Sequence, residues 1–407
     1  MSIFEGFLST PEVLDAFSDH HFVDAMLRFE AALARAQAQV GLIPESAAHS
    51  IIGSCKVELF DVAKILRDSG RAGSVAIPLV KSLKEAVGVF NADAVPFVHF
   101  GSTSQDVIDS AMALVTRDAV QLIEADLGKA IEALLQHAKT HAQTPVLART
   151  LMQPASVTSF GLKCANWAAP LVRSRARIAV AARHALKLQL GGAVGTLAQM
   201  KGQGAAVRER VAQALGLADA GNAWHTQRDE WVALGCELAI AVGGLGKIAT
   251  DVALMGQYEV GELTEPTEPG RGGSSAMPHK RNPVASMVAL AASQRVPQRV
   301  AALLATMPQQ HERALGAWQA ELAEWPQLLI STHGSVRAMA SALPGLQVDA
   351  ARMRANIDHL RAELPREAAD EWFDPALARS AGELALAQVD ALRASAAATP
   401  PNKESRQ

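Results

Sequence analysis

Aromatic side chains make up only 4% of this sequence, and tyrosine occurs once, at Tyr258. A core built on large rings is excluded, so the apolar volume has to come from aliphatic side chains and above all from alanine. Cysteine is equally scarce. Cys55, Cys164 and Cys236 are odd in number, far apart and without metal-type spacing, which excludes a disulfide framework and reads as reduced thiols. Basic runs are missing and the net charge is −3, so a nucleic-acid partner is not expected. No signal peptide stands out, nor an unbroken apolar run of about 18 residues. The expectation is a cytoplasmic protein without a membrane partner. Extended alternation of β-branched residues is absent as well.

What remains is helix. Nearly half the residues are apolar, and alanine is the best helix former, so an all-α fold is expected. The 407 residues exceed one compact core. They are expected to divide into an N-terminal helical domain (1–100), a central bundle of long helices (101–350) and a shortened C-terminal helical region with a disordered tail (351–407). Trp231, Leu234, Leu238, Ala241, Leu245, Ile248, Val252 and Met255 recur at helical spacing, as one face of a bundle helix does. Ile108, Met112, Val115 and Leu122 share a face, and no clear stop precedes Pro145. That predicts a helix of about 38 residues, roughly 57 Å long. Ser156 to Gln189 also reads as helical, and so does the chain after Pro308 to about Leu360. Residues 361–407 are less periodic.

Three polar clusters interrupt these helices. The first is His99-Phe-Gly-Ser102-Thr103-Ser104-Gln-Asp106, where Thr103, Ser104 and Asp106 are candidates for capping the long helix. The second is Arg149-Thr150-Leu151-Met152-Gln153-Pro154. The third is Pro269-Gly-Arg-Gly-Gly-Ser274-Ser275-Ala-Met-Pro278-His279-Lys280-Arg281-Asn282-Pro283. Its glycines and prolines bar regular structure, and a polar loop between two long helices suits a catalytic lid.

The third segment resembles the signature loop of the fumarase/aspartase superfamily almost letter for letter. Gly101-Ser-Thr-Ser104-Gln-Asp106 and Thr150-x-x-Gln153 are similar to that superfamily's other two segments. The resemblance spans about residues 1–360. It implies a homotetramer with a 20-helix core, whose active sites each take the three segments from three different subunits. Gly191-Gly-Ala-Val-Gly-Thr-Leu-Ala198, Trp224-His-Thr-Gln-Arg-Asp229 and Glu312-Arg-Ala-Leu-Gly-Ala-Trp318 are similar to the 3-carboxy-cis,cis-muconate cycloisomerase branch. Adenylosuccinate lyases share the Ser-Ser-Ala-Met-Pro loop, but they carry a catalytic histidine where this chain has Leu151.

That difference has a chemical meaning. Expelling an amine or hydroxide calls for a general acid. A carboxylate leaving group, whose conjugate acid has a pKa near ~4, departs unprotonated. Leu151 therefore favours lactone chemistry.

The resemblance implies a small polyanionic substrate and no metal or organic cofactor. By position Ser274 is the loop's acid/base, with turn hydrogen bonding as its alternative role, and Ser275 is shared between the two roles. Lys280 and Asn282 supply a cation and an amide donor for charge that develops during the reaction. His99, Ser102, Thr103 and Ser104 are expected to bind substrate carboxylates. Arg149, Thr150 and Gln153 are expected at the same site, with a surface salt bridge as the alternative for Arg149. His225 is either a substrate contact or a helix-start residue. Met152, Ala155 and Ser156 lie where a choice between a carboxylate and a sulfonate substituent could be tuned. A catalytically silent homologue is the remaining alternative, which the presence of Ser274, Lys280 and Asn282 argues against.

Overall fold

The computed structural model describes residues 4–267, 270–273, 277 and 279–398. Ser274, Ser275 and the tail beyond 398 lie outside the described residues. Helices α1 (Pro11–Ala16), α2 (Asp19–Gln39), α3 (Glu45–Ser54), α4 (Val62–Ala72) and α5 (Ala76–Phe90) come first. The chain then runs through α6 (Ser104–Thr140), a hairpin of β1 (Pro145–Thr150) and β2 (Gln153–Ser159), and α7 (Phe160–Ala185). Next come β3 (Lys187–Leu188), α8 (Gly204–Leu215), β4 (Ala218–Asp219), α9 (Asp229–Met255) and β5 (Leu263–Thr264). Last are α10 (Val284–Ala305), α11 (Ala317–Ala342), β6 (Gln347–Val348), α12 (Ala350–Glu363), α13 (Arg366–Trp372) and α14 (Pro375–Ala398).

Five long helices, α6, α7, α9, α10 and α11, pack on one another as a bundle. The expected long helix is α6, with 37 residues, or about 55 Å. Every residue of the apolar stripe in α9 is buried. By length and composition α9 could cross a membrane, but that stripe faces α7, α10 and α11, as the core side of a bundle helix does.

A ladder of polar contacts sets α11 parallel to α6. Trp318 Nε1 donates to Asp109 Oδ1 at 2.9 Å, Trp325 Nε1 to Thr116 Oγ1 at 2.8 Å, and His333 Nε2 meets Asp126 Oδ2 at 3.2 Å. At the far end His137 Nε2 donates to Leu343 O at 2.8 Å.

One sequence expectation changes. The helix expected from Ser156 begins at Phe160 instead, because 145–159 fold back as an antiparallel hairpin. Val146, Thr150, Val157 and Thr158 supply the β-branched content, and Pro145 and Pro154 keep this stretch out of a helix. The C-terminal residues 366–398, weakly periodic in sequence, are largely helical. The buried face of α14 includes Ala378, Ala381, Ala385 and Val389, a helical spacing written mostly in alanine and so nearly silent in hydropathy. Prolines also fail to stop two helices: α10 runs through Pro297 and α11 through Pro326.

The elbow between α6 and α7 depends on Gly161. A Cβ there would lie 2.5 Å from Ala138 O and 2.6 Å from the Ala142 Cα, both backbone atoms. Gly161→Ala is expected to lower stability by about 1–3 kcal/mol by overpacking, read from the urea midpoint. An unchanged midpoint would show that the elbow opens freely.

Candidate active site

The first cluster is organised by Asp106, which is fully buried at the start of α6. Its Oδ1 accepts from Gly191 N at 2.9 Å and from His225 Nε2 at 2.8 Å. Its Oδ2 accepts from Gly192 N at 2.9 Å, Thr103 N at 3.0 Å and Ser102 Oγ at 3.3 Å. One carboxylate thus fastens the 101–104 turn, the 191–192 turn and His225 together. The two turns are in close approach: a Cβ on Gly192 would lie 2.9 Å from Gly101 O, and both glycines have φ near +70°. His225 is only 3% exposed, and its ring is engaged by Asp106, so it stands behind the turn rather than in front of it.

Behind this turn lies a buried ionic knot. Arg228 NH1 donates to Asp109 Oδ2 at 2.9 Å, Arg228 Nε donates to Glu321 Oε2 at 3.0 Å, and a second bond joins Arg228 to Glu321. Gln105 Nε2 and Gln189 Nε2 each donate to Asp109 at 3.2 Å. The guanidinium also sits 4.5 Å from the Trp224 ring centroid. Burial works against its charge, but the two carboxylates outweigh that and hold it firmly protonated.

In front, His99, Ser102, Thr103 and Ser104 are partly accessible. His99 and Ser104 line a cavity of about 510 Å³ with Ile77, Val80, Lys81 and Lys84. Arg313, from the α10–α11 connection, donates from NH1 to Thr103 Oγ1 at 2.6 Å. Sequence reasoning assigned Arg313 no role. The signal was its place in the Glu312–Trp318 run, but only the fold puts it beside the first cluster, 210 residues away in sequence.

The second cluster is the hairpin tip. Thr150 and Gln153 are paired across a two-residue turn, Leu151-Met152. Both turn residues have positive φ, 52° and 66°, as a type I′ turn requires and as glycine or asparagine would satisfy more readily. Leu151 is 97% exposed and Met152 71% exposed. Arg149 is held from below: its NH1 and NH2 donate to Glu262 at 3.0 and 2.8 Å. Glu262 is fully buried and also accepts from Asn356 Nδ2 at 2.9 Å. The salt-bridge alternative for Arg149 is therefore the arrangement in this chain, with a buried partner.

The third cluster closes on itself at a narrow neck. Asn282 N donates to Gly272 O at 2.8 Å, Gly273 bridges Arg281, and Lys280 N donates to Met277 O at 3.0 Å. Gly272 has φ +76°, and a Cβ there would lie 2.9 Å from Asn282 O, so the neck admits only glycine. Glu265 pins the loop's exit by accepting from Ala285 N at 2.9 Å and Ser286 N at 2.8 Å at the start of α10. Lys280 and Asn282 are exposed on the wall of a cleft of about 1180 Å³ that also contains Thr264, Glu265, His279 and Arg281. Among the described residues Lys280 has no ion-pair partner, and no three His, Cys, Asp or Glu side chains converge as a metal site would require.

One chain does not bring the three clusters together. The first sits at the α6 N-terminus, and the hairpin follows the α6 C-terminus about 55 Å away. The third lies at the hairpin's end, since Arg149 bonds Glu262 and β5 pairs with β6 just after α11.

The lyase family profile matches residues 8–297. A 3-carboxy-cis,cis-muconate cycloisomerase of Bradyrhizobium diazoefficiens is 46% identical over 86% of this chain and 78% of its own. A nitrosuccinate lyase of Streptomyces davaonensis is 40% identical over 92% of this chain and 80% of its own. The crystal structure of a 3-carboxy-cis,cis-muconate lactonizing enzyme from Pseudomonas putida superposes with a TM-score of 0.88. The two are 35% identical, over 97% of this chain and 99% of that one.

Proposed function

Because the chain belongs to the lyase family, we propose that it interconverts 3-carboxy-cis,cis-muconate and its carboxymuconolactone, a step in the breakdown of aromatic compounds. A substrate carboxylate oxygen attacks a conjugated alkene carbon within the same molecule, so the protein supplies no nucleophile. A C–O bond forms, and the alkene electron pair moves onto a second carboxyl group as an enolate-like dianion. A proton then adds to carbon. Lys280 and Asn282 neutralise the developing charge, and Ser274, with Ser275 beside it, handles the proton. His99, Ser102, Thr103 and Ser104 bind the carboxylates. Arg149 is committed to Glu262, so it sets the hairpin and leaves Thr150 and Gln153 to meet substrate. His225 acts through Asp106.

The site is shared between copies in a homotetramer. The separation of the first cluster from the other two along α6 supports this, because antiparallel neighbours would carry their first clusters to the end where this chain's hairpin and loop lie, so that the three segments of one site come from three subunits. Solvent-facing Leu151 and Met152, and exposed Ile240, Leu254 and Met287 on the bundle helices, give such neighbours an apolar surface.

The observation that carries the reaction type is Leu151. It sits at the hairpin tip beside Thr150, where a lyase expelling a strong base would need an acid. A nitro group leaving as nitrite is also a weak base, so elimination from nitrosuccinate is the second reading. Both are tested by following loss of muconate absorbance with the 3-carboxy and 3-sulfo substrates, and nitrite release from nitrosuccinate, with adenylosuccinate as control. Muconate turnover is expected. Nitrite release without it would transfer the assignment to the second reading, and adenylosuccinate cleavage alone would overturn both. Inertness towards all four would leave a silent homologue. A monomer by light scattering would refute the shared site.

A further inference from the structure

His99 holds a backbone conformation that side chains rarely adopt, with φ +60°. Such a conformation persists only where surrounding contacts impose it. One contact that holds the side chain comes from α2. His99 Nδ1 lies 2.5 Å from Oε1 of Glu30, whose side chain is 1% exposed. A carboxylate can only accept, so Nδ1 carries the proton. Glu30's other oxygen, Oε2, is buried with no hydrogen-bond partner among the described residues. A buried carboxylate left half-satisfied is costly, which calls for an explanation beyond packing. On the other side of the ring, Nε2 has no partner among the described residues, and the ring lines the 510 Å³ cavity with Ser104 and, from α5, Lys81, Lys84 and one carboxylate, Glu85.

Resting on the reading that residues 99–104 bind substrate, we propose that Glu30 is a positioning residue for the reaction: its buried carboxylate turns His99 so that a charged Nε2–H donor faces the cavity and takes a substrate carboxylate. The arrangement is that of a buried acid orienting an imidazole by one nitrogen so that the other is presented for work. Glu30 lies 69 residues from His99 in sequence and touches no substrate itself.

The surroundings favour the charged ring. Burial disfavours it and Lys84 on α5 opposes it, but the charge and hydrogen bond of Glu30 together with the charge of Asp106 on α6 outweigh both; the net shift is upward. Cys55 also faces Glu30, and burial together with that carboxylate keeps its thiol protonated. A histidine whose pKa is raised keeps its charge below the raised value and loses it as pH climbs through that value. Glu30→Gln removes the counter-charge and leaves the burial, so the ring should lose its proton at lower pH.

The test compares wild type, Glu30→Gln and Glu30→Asp in the full-length protein, measuring kcat and KM for 3-carboxymuconate across pH. In Glu30→Gln the alkaline fall in kcat/KM should move by about one pH unit or more towards acid. On that limb kcat/KM should drop roughly tenfold, mostly through KM, while the two enzymes converge at acid pH. Glu30→Asp keeps the charge but not the reach, so it should fall between them. Histidine-selective 15N NMR gives a readout independent of turnover, with His99→Gln identifying the signal. His99 should titrate at lower pH in Glu30→Gln than in wild type. Parallel pH profiles, or identical His99 titrations, would overturn the proposal. Wild type that turns over no muconate while the two titrations differ would sink the proposed substrate and leave the Glu30–His99 coupling standing.

Discussion

Arg228→Ala is expected to destabilise the protein by about 3–5 kcal/mol, read as a large fall in the urea midpoint. Arg228, Asp109 and Glu321 are each no more than 2% exposed at the side chain. Truncating the guanidinium leaves two carboxylates buried together without a cation, which is far costlier than losing an exposed pair. Arg228→Lys should recover only part of the loss, because an ammonium cannot serve both carboxylates through one planar fork. Converting the knot to neutral groups, as in Arg228→Met combined with Asp109→Asn and Glu321→Gln, should recover more of it. A single variant within about 0.5 kcal/mol of wild type would mean that the knot is not holding α6, α9 and α11 together at that end. The damage should also spread to function, since His225 precedes Arg228 by three residues and braces Asp106.

Lys280→Ala is expected to lower kcat/KM by about 10³-fold without altering stability. The loop backbone, not the lysine side chain, closes the neck at Gly272 and Asn282. Among the described residues the ammonium has no ion-pair partner, and the side chain is exposed, so folding should not register the change. The reaction should, because removing a donor aimed at developing charge costs about 10²–10³-fold and here the full cation goes as well. Lys280→Arg keeps the charge but spreads it over a wider fork and should stay well below wild type. Turnover by Lys280→Ala within about tenfold of wild type would move the charge-neutralising role elsewhere, with Arg313 beside Thr103 as the next residue to remove.

How much of this was legible beforehand depended on how each feature is written in the chain. Long helices were plain wherever apolar spacing was strong and breakers were absent, as in α6 and α9. The hairpin at 145–159 was missed because its short strands follow a long helix and precede another, and Val157 and Ser159 fit a helical pattern as well as a strand. The C-terminal helices were faint because alanine and glycine do the packing there; a Cβ on Gly382 would lie 2.4 Å from Ala142 O. Within the candidate site, the residues grouped in sequence at 99–106 remain grouped in space. The roles of Glu30 and Arg313 were illegible because each meets the first cluster only through the packing of distant elements. For Arg149 the sequence left a substrate clamp and a salt bridge open, and its partner Glu262, 113 residues away, is visible only in the fold.

The contacts between α6 and α11 also limit how this chain can change over evolutionary time. Their sequence separation is 209 at Asp109 and Thr116, 207 at Asp126 and 206 at His137, so two helices stay nearly in step along most of their length. One residue inserted in α6 between Thr116 and Asp126 would turn everything beyond it by about 100°. Asp126 would swing away from His333, and His137 from Leu343. Gains and losses of residues are therefore confined to connections between helices, while the length of the 37-residue helix is held fixed.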